Sequence, residues 1–185
     1  MRGFSSLTGA VILATALGAC SGKPKEPDVP ALIADLKSTD AETRGKANLA
    51  VMDAGEAAVP ALVEMLEGAD PVHRATAASA LYGMGGRGKA AVPALAVLLS
   101  DADKDLRVAA AMALENMGPD AAEAVPALIK ALKDPEGRVR QRVAIALGNI
   151  GPAARSAVPA LGEAARWDPV RPAAEEAIRK IQSRQ

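Results

Sequence analysis

The tetrapeptide Val-Pro-Ala-Leu occurs five times, starting at Val29, Val59, Val92, Val125 and Val158, so that successive copies lie 30, 33, 33 and 33 residues apart. A period of that length, without strand-like alternation between copies, specifies stacked helical pairs, each too small to bury its apolar face except against its neighbours. The predicted fold is all-α: an α-solenoid of five stacked helical pairs over residues 28–185, with units at about 28–57, 58–90, 91–123, 124–156 and 157–185.

The fourth copy shows the grammar. Val125-Pro126-Ala127-Leu128 opens a helix, with proline in the first turn, where its missing amide hydrogen costs nothing. Leu128 and Leu132 then fall one turn apart on one face. Asp134-Pro135 is expected to stop this helix and cap the next. In that second helix Val143, Ala146, Leu147 and Ile150 follow Arg140 at three, six, seven and ten residues, a single helical stripe. Gly151-Pro152 ends it, glycine tolerating a left-handed turn and proline unable to continue the helix. The other copies repeat the plan. Arg44, Arg74, Arg107, Arg140 and Arg171 share one position, and Ala50, Ala80, Ala113, Ala146 and Ala177 another, where small side chains let helices approach. The first copy is three residues shorter before the next start, and the fifth shortens its inter-helix loop by two.

Val92-Pro93-Ala94-Leu95, Leu106-Arg107, and Ala113-Leu114 with Met117-Gly118, together with their counterparts, resemble the HEAT repeats, specifically the short bacterial variety related to those of phycobilisome (bilin) lyases. The resemblance covers about residues 28–182. It implies a superhelix of paired helices. It implies no catalytic residues, because the residues that define the family are packing residues.

The N-terminus carries a separate signal. Arg2, the apolar run 7–19 and Leu17-Gly18-Ala19-Cys20 resemble a bacterial lipoprotein signal, cut before Cys20, whose thiol is then acylated. The expected organisation is a signal peptide at 1–19, a lipidated cysteine with a short linker at 20–27, and the repeat domain. More than one acyl chain gives a stable membrane anchor. Ser21 is not the aspartate associated with inner-membrane retention, so the resemblance implies the periplasmic face of an outer membrane. Cys20 is the sole cysteine, which excludes a disulfide within the chain.

The formal net charge of +0 gives no general electrostatic pull on nucleic acid. With one histidine and one cysteine, no zinc cluster or histidine pair can be assembled, and neither catalytic residues nor a metal or cofactor is expected. His73, next to a helix start, reads as a solvated polar residue. The glycines at 83, 85, 86 and 88 follow a helix, whereas phosphate loops precede one, so they read as a loose C-terminal turn.

In Asp40/Arg44, Asp70/Arg74, Asp103/Arg107 and Glu136/Arg140 the acid precedes the arginine by four, suggesting a repeated i,i+4 ion pair. The outer face of the second helices is more informative. Five residues after the arginines stand Leu49, Ser79, Met112, Ile145 and Glu176, and eight after them Met52, Tyr82, Glu115, Gly148 and Arg179. Leu49, Met52, Tyr82, Met112 and Ile145 are apolar where related repeats are commonly polar, and they are the candidate partner-binding residues of a concave groove. Residues 173–185, with Glu175, Glu176, Arg179, Lys180 and Arg184, read as a polar cap, and Trp167 as packing against it or touching a ligand. Taken together, the expectation is a non-catalytic, lipid-anchored scaffold of the cell envelope binding a protein partner, with no small-molecule substrate. A bilin-lyase-like chromophore or protein-maturation factor is the alternative. Nucleic-acid binding, known for some HEAT-like proteins, has the neutral charge against it.

Overall fold

The structure, a computed structural model, describes residues 27–167 and 169–183. The signal segment, Cys20, most of the linker, Arg184 and Gln185 lie outside the described residues. Ten α-helices follow in five pairs among the described residues: α1 (Val29–Leu36) with α2 (Ala41–Ala54), α3 (Val59–Glu67) with α4 (Pro71–Met84), α5 (Val92–Leu98) with α6 (Lys104–Met117), α7 (Val125–Ala131) with α8 (Gly137–Ile150), and α9 (Val158–Ala164) with α10 (Arg171–Gln182). The chain is an α-solenoid.

Each first helix begins at the valine of its tetrapeptide, with proline in the first turn, where backbone N–H groups have no helical partner in any case. Leu36, Leu62, Leu95, Leu128 and Leu161 are wholly buried and form the spine of the core. The predicted second-helix stripe is buried as well, Val143, Ala146 and Leu147 completely and Ile150 almost so. Second helices α2, α4, α6 and α8 end at Gly55, Gly85, Gly118 and Gly151, with φ of 60°, 53°, 56° and 75°. A side chain there would meet the left-handed backbone penalty.

Two expectations about the connections are corrected. The stretch containing Gly85, Gly86 and Gly88 is not a loose turn: Gly85–Ala91 is a 3₁₀ helix, as are Gly55–Ala58, Gly118–Ala124 and Gly151–Ala157. Each of the first four repeats thus has a third helical piece that carries the chain from its second helix to the next first helix. Asp134 does not cap α8 either. The N-cap is Glu136, and the Asp134 carboxylate accepts the Glu136 amide at 2.8 Å, ordering the turn before the helix. In the earlier repeats Asp40, Asp70 and Asp103 are the caps, each accepting a first-turn amide.

From α4 onward the second helices pack on one another far more extensively than the first helices do, which makes theirs the inner side of the curve; α2 packs on α4 no more than α3 does on α5. Small residues permit this. Ala80, Ala113, Ala146 and Ala177 are buried between helices, and a Cβ on Gly148 would stand 2.9 Å from the Ala177 Cα.

Candidate functional site

Along the inner face, Leu49 on α2 is 63% exposed and Tyr82 on α4 is 42% exposed. Met52, Met112 and Ile145 are half-buried, Met112 and Met52 resting against the core. The structure brings Tyr82 and Met112 together. With Ala78, Ser79 and Ala109 they line an apolar hollow of about 210 Å³ between α4 and α6. Leu49 and Ile145 lie on neighbouring helices of the same face but do not line that hollow. Met52 fills the space opposite Gly83, where a Cβ would come 2.8 Å from its Sδ.

The polar residues of this face are stitched across repeats. Asn116 Nδ2 donates to the Tyr82 carbonyl at 2.6 Å, and Asn149 Nδ2 to the Glu115 carbonyl at 3.2 Å. Lys180 Nζ donates to Asn149 Oδ1 at 3.0 Å, and Arg142 pairs with Glu115 at 3.3 Å. These contacts hold four of the second helices, α4, α6, α8 and α10, in register and fix the spacing of the apolar side chains between them. At the cap, the Arg179 guanidinium hydrogen-bonds Glu176 and holds its carboxyl below the usual range. His73 sits beside its own helix cap, its Nδ1 3.5 Å from Asp70. Among the described residues no group of histidine, cysteine, aspartate and glutamate could hold a metal ion, and no helix is long and apolar enough to cross a membrane.

The arginine ladder works differently from the expected i,i+4 pairing. Arg44, Arg107 and Arg140 turn back and donate Nη1 to backbone carbonyls six and five residues earlier, as in Arg107 to Asp101 at 2.9 Å and Ala102 at 3.1 Å. Two arginines of the ladder, Arg74 and Arg107, take an acid partner, and it comes from the following repeat. Arg107 Nε and Nη2 donate to the Asp134 carboxylate at 2.7 and 3.0 Å, 27 residues ahead, and Arg74 pairs with Asp101 at the same separation. The bond to Asp134 raises the Arg107 guanidinium above its ordinary value. For Arg44, Arg74 and Arg107 the preceding aspartate is already engaged as the helix cap, whereas Glu136 makes no side-chain cap bond and Arg140 still turns away from it.

Nine residues after each tetrapeptide valine stand Ser38, Gly68, Asp101, Asp134 and Trp167. Only the third and fourth are acids. At the fifth, the Trp167 ring takes the place of the carboxylate, and the Arg140 guanidinium carbon lies 4.3 Å from its centroid. Trp167 therefore packs on α8 of the preceding repeat, and it remains 48% exposed. Nothing in the spacing of acids and arginines within a helix revealed this, but the 27-residue offset, repeated twice, was present in the sequence.

Residues 91–179 match the family model of HEAT repeats. A chain of the complex of CpcE and CpcF of phycocyanin lyase from Nostoc sp. PCC7120 superposes with a TM-score of 0.67 at 22% identity, over 80% of this chain and 96% of that one. An engineered protein gives a TM-score of 0.55 at 27% identity, over 84% and 79% of the two chains. A designed armadillo repeat protein in complex with the peptide (KR)4 gives 0.59 at 19% identity, over 83% and 82%. No curated protein matches the chain.

Proposed function

Since the chain stacks HEAT repeats into an open α-solenoid, we propose that it is a non-catalytic interaction scaffold that binds an extended segment of a protein partner along its second-helix face. The observation that carries this reading is the run of apolar side chains left open there, Leu49 and Tyr82 exposed and Met112 walling a hollow of about 210 Å³. Exposed apolar area on a rigid, register-locked surface is the usual mark of a binding site. The designed armadillo protein bound to a peptide supports the same use of a stacked-helix surface. The proposal extends to place: the lipoprotein-like segment ending at Cys20 tethers the solenoid at the cell envelope, on the periplasmic face of an outer membrane.

Two experiments test it. Capture of envelope proteins by the wild type should be abolished by Leu49→Glu combined with Met112→Glu, while the far-ultraviolet circular dichroism and melting temperature stay near wild type. Equal capture by the folded double variant would sink the groove assignment. For the anchor, mass spectrometry of the N-terminal peptide should find Cys20 acylated and the protein in the membrane fraction, with Cys20→Ala released. An unprocessed, soluble wild type would remove the envelope from the proposal.

A second reading has the likeness to a phycocyanin lyase chain in its favour. If the solenoid handles chromophores, the purified protein mixed with a linear tetrapyrrole should shift the pigment's visible absorption. An unchanged spectrum argues against it.

A further inference from the structure

Successive first helices enclose a row of grooves on the side of the molecule away from the second-helix face. The grooves between α3 and α5, α5 and α7, and α7 and α9 have volumes of about 550, 320 and 750 Å³. The first two include Arg74 with Asp101, and Arg107 with Asp134. The third is the largest and is walled by Ile129, Leu132, Pro159, Ala160 and Trp167.

This third groove breaks the charge pattern of the other two. The equivalent arginine, Arg140, does not line the groove but lies against the Trp167 ring that walls it; it is only 9% exposed, and among the described residues no carboxylate pairs with it. Nη1 is bonded to two carbonyls, the guanidinium faces the Trp167 ring, and Nε is buried without a partner. A desolvated cation in that condition lacks the anion that its two counterparts possess. Lys133 and Arg166 stand at the rim, opposed among the described lining residues only by Glu163, which is 3.4 Å from Arg166. Among the described residues the groove is thus apolar within, and its rim carries one more cation than carboxylate.

We infer that the groove between α7 and α9 is a docking site for an acidic peptide segment that sets an apolar side chain on Trp167 and its carboxylates against Lys133, Arg166 and the field of Arg140. Charge complementarity selects this occupant: the apolar walls take a side chain, and Lys133, with Arg166 shared between Glu163 and the ligand, takes its flanking acids. The site is independent of the second-helix face, and the two can be filled at once.

The test uses a fluorescein-labelled hexapeptide of alternating glutamate and leucine, its glutamine–leucine counterpart, and the full chain, read by fluorescence anisotropy. The glutamate peptide should bind at least tenfold more tightly than the glutamine peptide and weaken as salt rises. Trp167→Asp supplies Arg140 with the acid that Asp101 and Asp134 supply elsewhere. It should keep or raise the melting temperature and weaken peptide binding at least tenfold. Lys133→Glu, at the exposed rim, should cause a similar loss without touching the stack, and Leu49→Glu should leave binding unchanged. Indifference of the wild type to the glutamines, or full affinity in both folded groove variants, overturns the assignment. Self-association that Trp167→Asp abolishes would give the groove to a second copy of the chain and overturn it as well.

Discussion

Arg107 is held from two directions, its Nη1 on the Asp101 and Ala102 carbonyls and its Nε and Nη2 on Asp134 in the next repeat. Both partners of the ion pair are mostly buried, with side chains 12% and 7% exposed. Removing one member of such a pair strands the other, so Arg107→Ala should lower stability by about 3 kcal/mol in urea titrations. Arg44, for which the equivalent acid position of the next repeat holds Gly68, makes the two carbonyl bonds without an ion pair among the described residues, and Arg44→Ala should cost about 1 kcal/mol by the same measurement. The identity of the ladder was legible in the sequence, but its partners were not. An acid four residues before an arginine satisfies the helix-pair rule and the capping rule equally, and only three dimensions show that capping prevails. Trp167 was the clue to the alternative, since a residue that breaks a periodic position marks what the position does.

At the level of elements, the start of α2 rests on Asp40, which accepts hydrogen bonds from the Thr43 hydroxyl at 2.6 Å and its amide at 2.7 Å. The hydroxyl bond chiefly, and the amide bond next, lower the Asp40 carboxyl below its ordinary 3.8. A depressed folded-state value stabilises the cap above the unfolded-state value, and that contribution disappears as pH falls through the folded one. Amide exchange at Thr43 should therefore stay slow through the ordinary carboxylate range and accelerate only below it. The junction of α8 with α10 depends on a missing side chain. Gly148→Ala would push a Cβ against the Ala177 Cα and should cost about 1–3 kcal/mol, visible as a lower melting temperature. The ten helices were readable because their apolar positions recur every turn. The four 3₁₀ pieces were not, though their trace is there: Ala121 with Ala124, Ala154 with Ala157 and Gly88 with Ala91 are buried and three apart, as a three-residue turn requires. The apolar face was legible only as a set of positions. That Tyr82 and Met112 share a hollow, while Met52 is occupied by Gly83, depends on how far neighbouring helices slide past each other, and no single helix encodes that.

Across the whole molecule, stability is a sum of repeats and their junctions, and the junctions are unequal. The acid that joins the second repeat to the third and the third to the fourth is absent between the first and second, where Gly68 occupies its place. α2 also packs on α4 less extensively than α4 does on α6. Hydrogen exchange should accordingly show α1 and α2 opening at lower free energy than α5 to α8. Gly68→Asp would place an acid at the equivalent position but also a Cβ 3.3 Å from the Met65 carbonyl oxygen, so the crowding offsets part of any ion-pair gain and the net should stay below about 1 kcal/mol in urea titrations. The alternation of arginine and aspartate along the stack has a further meaning for inheritance. A unit such as residues 91–123 receives an acid-facing arginine from one neighbour and offers its own to the next. A recombination event that excised those codons would leave Arg74 at the same separation from Asp134 as it now has from Asp101. Such a gene can shorten or lengthen by whole units without inventing a new junction, so the number of repeats is free to drift.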